Sequence, residues 1–150
     1  MRLARVLGRA AAVAALTAVA LAGTGSAQAA TYDGQDPIVT GCNSSAVTVN
    51  SAPVYRADGT EVGTIQLRYS TSCGTVWARL VSPISHGLGY VVRNTDGAFE
   101  ACGNTLTWSS SLSAYSCYSR MLNDRNVTSY AWGLVDSSAW WSQVARTGNF

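Results

Sequence analysis

Four cysteines, at positions 42, 73, 102 and 117, stand in a chain with a single histidine, His86, and no lysine. Thiols can form disulfides, ligate a metal or carry redox chemistry, and their spacing decides among these. No two are arranged as Cys-x-x-Cys, and one histidine makes a poor partner set for zinc. Structural disulfides are the reading left. Ser85 and His86 could serve a serine hydrolase, which needs a nucleophile, a base and an acid to orient the base. There is no Gly-x-Ser-x-Gly, and neighbours on an extended segment point to opposite sides. Pro83, Gly87 and Gly89 read as a loop, and His86 as its solvated histidine. The eight carboxylates are Asp33, Asp36, Asp58, Glu61, Asp96, Glu100, Asp124 and Asp136. A glycosidase needs two of them about 5–10 Å apart. Asp58, Asp96 and Asp124 lie in turn signatures, where local hydrogen bonding accounts for them; Glu100 is the acid inside a strand near aromatics. Asp33 and Asp36, with Asn94 and Asp96, offer oxygens to a hard cation, but not at EF-hand spacing. The expectation is therefore no cofactor, no metal and no assigned catalytic residue.

The aromatic residues make the stronger set. Trp108, Trp132, Trp140 and Trp141 fall in the second half of the chain, with Tyr115, Tyr118 and Tyr130. Trp140 and Trp141 are adjacent, so on a strand one faces in and the other out. Rings on a β scaffold, with Arg or Asn at the rim, suit stacking against sugars or a protein partner. These four, with Arg68 and Trp77, form the candidate binding surface. The competing reading is that the rings fill a core otherwise poor in Leu, Ile and Phe.

These residues need a scaffold. The chain has 150 residues, of which 12% are charged, about half the usual share. Residues 1–29 read as a secretory leader: Arg2, Arg5 and Arg9, then the apolar run Ala10–Ala22, then Ala27-Gln28-Ala29 as a cleavage site. The run is 13 residues, whereas a membrane span needs about 20, so cleavage after Ala29 and a secreted, extracellular product without a stable membrane anchor are expected. Seven arginines then face eight acids, which leaves no basic patch for nucleic acid. Residues 30–150 are expected to form one all-β domain, a small disulfide-stabilised sandwich or barrel, because short period-two runs recur between Gly, Asn, Asp and Ser clusters. The runs are Ala46–Asn50, Val54–Arg56, Val62–Ser70, Thr75–Ser82, Leu88–Arg93, Ala98–Cys102, Ala114–Ser119, Val127–Leu134 and Ala139–Arg146. Turns are expected at 57–60, 94–97 and 123–126. With Thr71–Gly74 as a four-residue loop, Tyr69 opposes Val76, Leu67 opposes Ala78 and Ile65 opposes Leu80 on the core face. Arg68 then opposes Trp77 and Gln66 opposes Arg79 on the other, which sets a guanidinium over an indole.

Three disulfide pairings are open. Cys42–Cys73 with Cys102–Cys117 is favoured, since the first ties the N-terminal segment to that hairpin turn and the second staples a Ser-rich loop. Tyr32-Asp33-Gly34-Gln35-Asp36-Pro37, Thr40-Gly41-Cys42, Gly63, Leu67-Arg68-Tyr69-Ser70, Cys73-Gly74 and Trp77-Ala78-Arg79 together resemble a family of small secreted bacterial proteins, domain of unknown function 2690. The resemblance covers Tyr32 to Arg79. It implies an exported Gram-positive protein and supports the Cys42–Cys73 pair; it carries over no catalytic residue, and Cys102 and Cys117 lie beyond it. The function expected is a binding or interaction module for envelope polysaccharide or an extracellular protein. The alternatives are a small carboxylate-dependent extracellular hydrolase, or a structural surface protein without a ligand.

Overall fold

Alternating apolar and polar residues, broken every eight to ten positions by turn formers, leave the chain little choice but antiparallel pairing. The computed structural model describes residues 32–150; the expected leader lies outside the described residues. These form β1 (Ala46–Tyr55), β2 (Glu61–Ser70), β3 (Thr75–Ser82), β4 (His86–Arg93), β5 (Phe99–Thr105) and β6 (Thr107–Ser109). The chain continues through β7 (Ala114–Tyr118), β8 (Leu122–Asn123), β9 (Ser129–Ser137), β10 (Trp140–Trp141) and β11 (Ala145–Arg146). The helical element among the described residues is one 3-10 turn, Cys42–Ser45. None of their helices is long and apolar enough to cross a membrane.

The strands make two antiparallel sheets. One runs β1-β2-β3-β7-β6, with β8 beside β3; the other runs β10-β9-β4-β5, with β11 beside β9. The hairpin register is as expected, from Ser70 opposite Thr75 through Arg68 opposite Trp77 to Ile65 opposite Leu80. Four details depart from the expectation. β1 is one strand, not two, because Pro53 sits on an edge strand where its missing N–H breaks no ladder. His86, Gly87 and Gly89 belong to β4 rather than to a loop. The Ser-rich stretch holds β6, and the last expected strand is split into β10 and β11, where Ser142 and Gln143 bond Val135 and Tyr55 instead.

Ile65, Leu67, Val76 and Leu80 from one sheet meet Val91, Ala131 and Val135 from the other. All seven are fully buried. The fully buried residues of this core are aliphatic, and the reading in which most of the rings fill it is corrected: Tyr69, Tyr115 and Trp140 pack only partly buried at its margin, and the one ring that is buried among the described residues, Trp77, lies on the opposite side of β3. Close approach of the sheets depends on Gly89 and Gly133, which pair directly across β4 and β9. A Cβ on Gly133 would come within 3.0 Å of Ile65 Cδ1 and 2.9 Å of Leu88 O. Ile65 therefore plugs into a socket that any side chain would fill.

Both favoured disulfides are present. Cys102–Cys117 joins β5 to β7, hence one sheet to the other, and Cys42–Cys73 anchors the segment 32–45 against the β2–β3 turn. That segment crosses the outside of the first sheet and is held at several points. Gly34 N–H and Met121 N–H donate to Met121 O and Gln35 O, each at 2.9 Å. Arg93 clamps its start, donating to Asp33 at 2.9 Å and to Asp96 at 2.7 Å. Of the four residues that could have offered oxygens to a cation, Asp33 and Asp96 thus hold a protein cation instead, while Asp36 accepts from the Ile38 and Val39 N–H groups and Asn94 bonds Thr128. The two carboxylates raise the Arg93 pKa, and the guanidinium holds Asp96 down at about 2.

Candidate functional site

The outer faces of the two sheets carry the residues singled out above, and they differ in chemistry. On the first sheet, pairing parity puts Gln66, Arg68, Trp77, Arg79 and Tyr118 on one side. Trp77 would be exposed there but for the N-terminal segment; packed with Cys42, Cys73, Met121, Tyr32 and Ala46, it is 2% exposed. Beside it opens a cleft of about 200 Å³ whose walls include Arg68, Arg79, Tyr118, Asn43 and Ser111. The guanidinium of Arg68 donates to Thr48 Oγ1 at 2.6 Å and Ala46 O at 3.1 Å. Arg68 and Trp77 share a face as expected. The expected stack is not formed, because the hydroxyl and carbonyl of β1 draw the guanidinium aside. Arg79 donates from Nε to Gln66 Oε1 at 2.7 Å.

On the second sheet no described segment crosses the outside. Phe99, Tyr90, Val92 and Trp132 line an apolar cleft of about 190 Å³ across β5, β4 and β9. Tyr90 and Trp132 stack with centroids 4.1 Å apart and planes 4° from parallel. Phe99 lies 6.1 Å from Tyr90 and is 62% exposed. At the far edge Arg146 covers the Tyr130 ring at 3.7 Å. Trp141 pairs with Asp136, which puts it on the same side of β9 as Trp132, and it too is 62% exposed. The two are separated by about 13 Å at the strand rise.

The six expected surface residues therefore do not form one surface. Trp132 and Trp141 share the bare face. Trp140 turns the other way, packs on the core edge and carries Arg56 over its ring at 4.6 Å. Trp108 lies on edge strand β6, edge-on to Tyr115 at 5.2 Å. Arg68 and Trp77 belong to the opposite sheet. Tyr90 and Phe99 were missed, although the turn at 94–97 carried the signal: closing it sets Val92 opposite Phe99, as observed.

Among the other chemical groups, Ser85 Oγ reaches His86 Nδ1 at 3.1 Å, and Asp136 lines the same open cleft. Ser85 thus occupies the ring nitrogen that an orienting acid would need, and the pair is exposed. The clefts described hold at most one carboxylate each. Burial raises Asp124 to about 6, against the opposing pull of the Ser129 hydroxyl at 2.6 Å and of the Arg93 charge. Asp58 is lowered by the Thr60 N–H in its turn. Among the described residues no three His, Cys, Asp or Glu side chains converge as a metal set.

Sequence comparison places these features in a wider group. A Bacillus subtilis (strain 168) protein, "Uncharacterized protein YjfA", is 32% identical over 109 residues, covering 68% of this chain and 69% of the relative. No solved structure matches. The family match runs past the Tyr32–Arg79 stretch and takes in Cys102 and Cys117, the whole of β4 and the start of β9 as far as Trp132. Through residues 30–132 the chain belongs to the family described as "Protein of unknown function (DUF2690)".

Proposed function

We propose that the protein works outside the cell as a binding module and that the outer face of its second sheet docks a protein partner. One observation carries this reading: the Tyr90–Trp132–Phe99 cluster, with Phe99 62% exposed, lies uncovered by any described segment, and Trp141, also 62% exposed, stands farther along the same side of β9. Exposed apolar patches of this kind mark interaction sites. Aromatic residues and arginine, with few charges at the centre, are what protein interfaces enrich. A glycan would need hydroxyl partners beside each ring, and the cleft walls of Tyr90, Val92, Gly97, Phe99 and Trp132 supply few. Two disulfides and the leader-like start of the chain support an oxidising, extracellular setting.

The test is affinity capture with immobilised protein, from culture supernatant and from purified cell walls. Wild type is expected to retain a defined protein that Phe99→Ser and Trp132→Ala lose. Retention of wall polysaccharide, lost with the same variants, would replace the protein partner with a glycan. Retention of neither would overturn the reading.

A further inference from the structure

The cleft on the first sheet is a different kind of site. Two arginines line it, and neither forms an ion pair among the described residues. Arg68 has a buried Nε–H without an acceptor. On Arg79 only Nε is engaged among the described residues, and both terminal nitrogens of the fork have no partner there. An unsatisfied buried donor is costly, and a charged one more so; this Nε is closed off from solvent, so an anion in the cleft would offset that cost through the guanidinium charge rather than by a bond to it. Burial lowers both guanidinium pKa values, and the Arg68 charge lowers that of Arg79 further, as expected of two cations facing each other without a counter-charge. No carboxylate lines the cleft. Asp36, whose charge adds to the rise that burial gives the Tyr118 pKa, is occupied with the Ile38 and Val39 N–H groups at 2.7 and 3.2 Å. Around the arginines stand Tyr118, a partly exposed ring, and the hydroxyls of Ser109, Ser111 and Ser116.

We propose that this cleft binds an acidic saccharide, with its carboxylate or phosphate held between Arg68 and Arg79 and its ring against Tyr118 and the serine hydroxyls. A guanidinium fork matches a planar or tetrahedral oxyanion in a bidentate way, and the hydroxyls and aromatic wall match what a sugar adds. The site rests on different residues from the aromatic face and stands without it.

The test follows the arginine Nε–H and tryptophan indole resonances of the purified, oxidised protein by NMR. The probes are glucuronate, glucose 6-phosphate, inorganic phosphate and glucose. Saturable shifts at Arg68, Arg79 and Trp77 are expected with the two acidic sugars, those with glucuronate or those with glucose 6-phosphate being the stronger according to whether carboxylate or phosphate is the natural group. Glucose should produce none. Arg79→Gln should weaken binding by about tenfold or more, the scale of one charge-assisted hydrogen bond, with an otherwise unchanged spectrum, and Arg79→Lys should recover part of it. Phe99→Ser should leave it intact. Equal shifts with glucose, inorganic phosphate binding as tightly as the sugar phosphate, or indifference to Arg79→Gln would overturn the proposal.

Discussion

The two outer faces of this sandwich begin from the same strand alternation and end in opposite states. On the first sheet the outward residues of β2 and β3 are Gln66, Arg68, Trp77 and Arg79, and residues 32–45 cross over them, burying the indole and leaving a cationic cleft at the margin. On the second sheet the outward residues of β4, β5 and β9 are Tyr90, Val92, Phe99 and Trp132, with no described segment across them. A tryptophan on the outside of a sheet thus has no fixed meaning. What the rest of the chain lays over it decides whether it is core or contact surface.

The sharpest way to break this comparison is to remove one ring from each face. Trp77→Ala should cost about 3–5 kcal/mol, the scale of deleting a buried aromatic, whereas Trp141→Ala should change stability by about 0.5 kcal/mol or less. Denaturant titration of the two variants checks this, and similar losses would mean the faces are alike. Next comes the strap, the segment 32–45 that crosses the first sheet. Cys42→Ser with Cys73→Ser should cost about 3 kcal/mol in the chain-entropy view. Hydrogen exchange should quicken at Gly34, Asn43 and Met121 before it does at β4 and β9.

Asp124 lies where the strap, β3 and the end of β4 meet, bonding Gly74 O through its N–H and Ser129 through its carboxylate. Its folded pKa of about 6 stands above the usual 3.8. The fold therefore holds this proton more tightly than the unfolded chain does. The group favours folding most below about pH 4, and that contribution fades as pH rises through about 6, a swing of about 3 kcal/mol. Asp96, held at about 2 by Arg93, acts in reverse: its contribution is present above about pH 4 and is lost as pH falls toward 2. Asp124→Asn should raise the melting temperature at pH 7.5 and flatten the pH profile between 4 and 7. The smallest effect is expected from Phe99→Ser, about 0.5 kcal/mol or less, because a ring that is 62% exposed has little packing to lose; only binding should suffer.

Much of the first sheet was legible because one assumption, a four-residue turn at 71–74, fixed the register from Ser70–Thr75 back to Ile65–Leu80. The turn at 94–97 did the same for Val92 and Phe99. The fate of Trp77 was not legible, since its cover comes from the irregular segment 32–45, whose path periodicity does not describe. The glycines misled for a related reason. Gly87 and Gly89 look like loop punctuation beside Pro83, yet Gly89 is in β4 because Ile65 needs its missing side chain. The valine-rich core was also overlooked. Val54, Val62, Val76, Val91 and Val135 are all buried, and counting Leu, Ile and Phe alone made the interior look empty. As for the candidate surface, local alternation could place each ring in or out but could not say which strands share a sheet, so Trp108, Trp132 and Arg68 were grouped across two faces.

The account turns on the bare face being the docking surface for a protein. The direct measurement is capture from culture supernatant by wild type, Phe99→Ser and Arg79→Gln side by side. The account predicts that Phe99→Ser loses the captured protein while Arg79→Gln keeps it. Capture of the same protein by Phe99→Ser and wild type alike would contradict it.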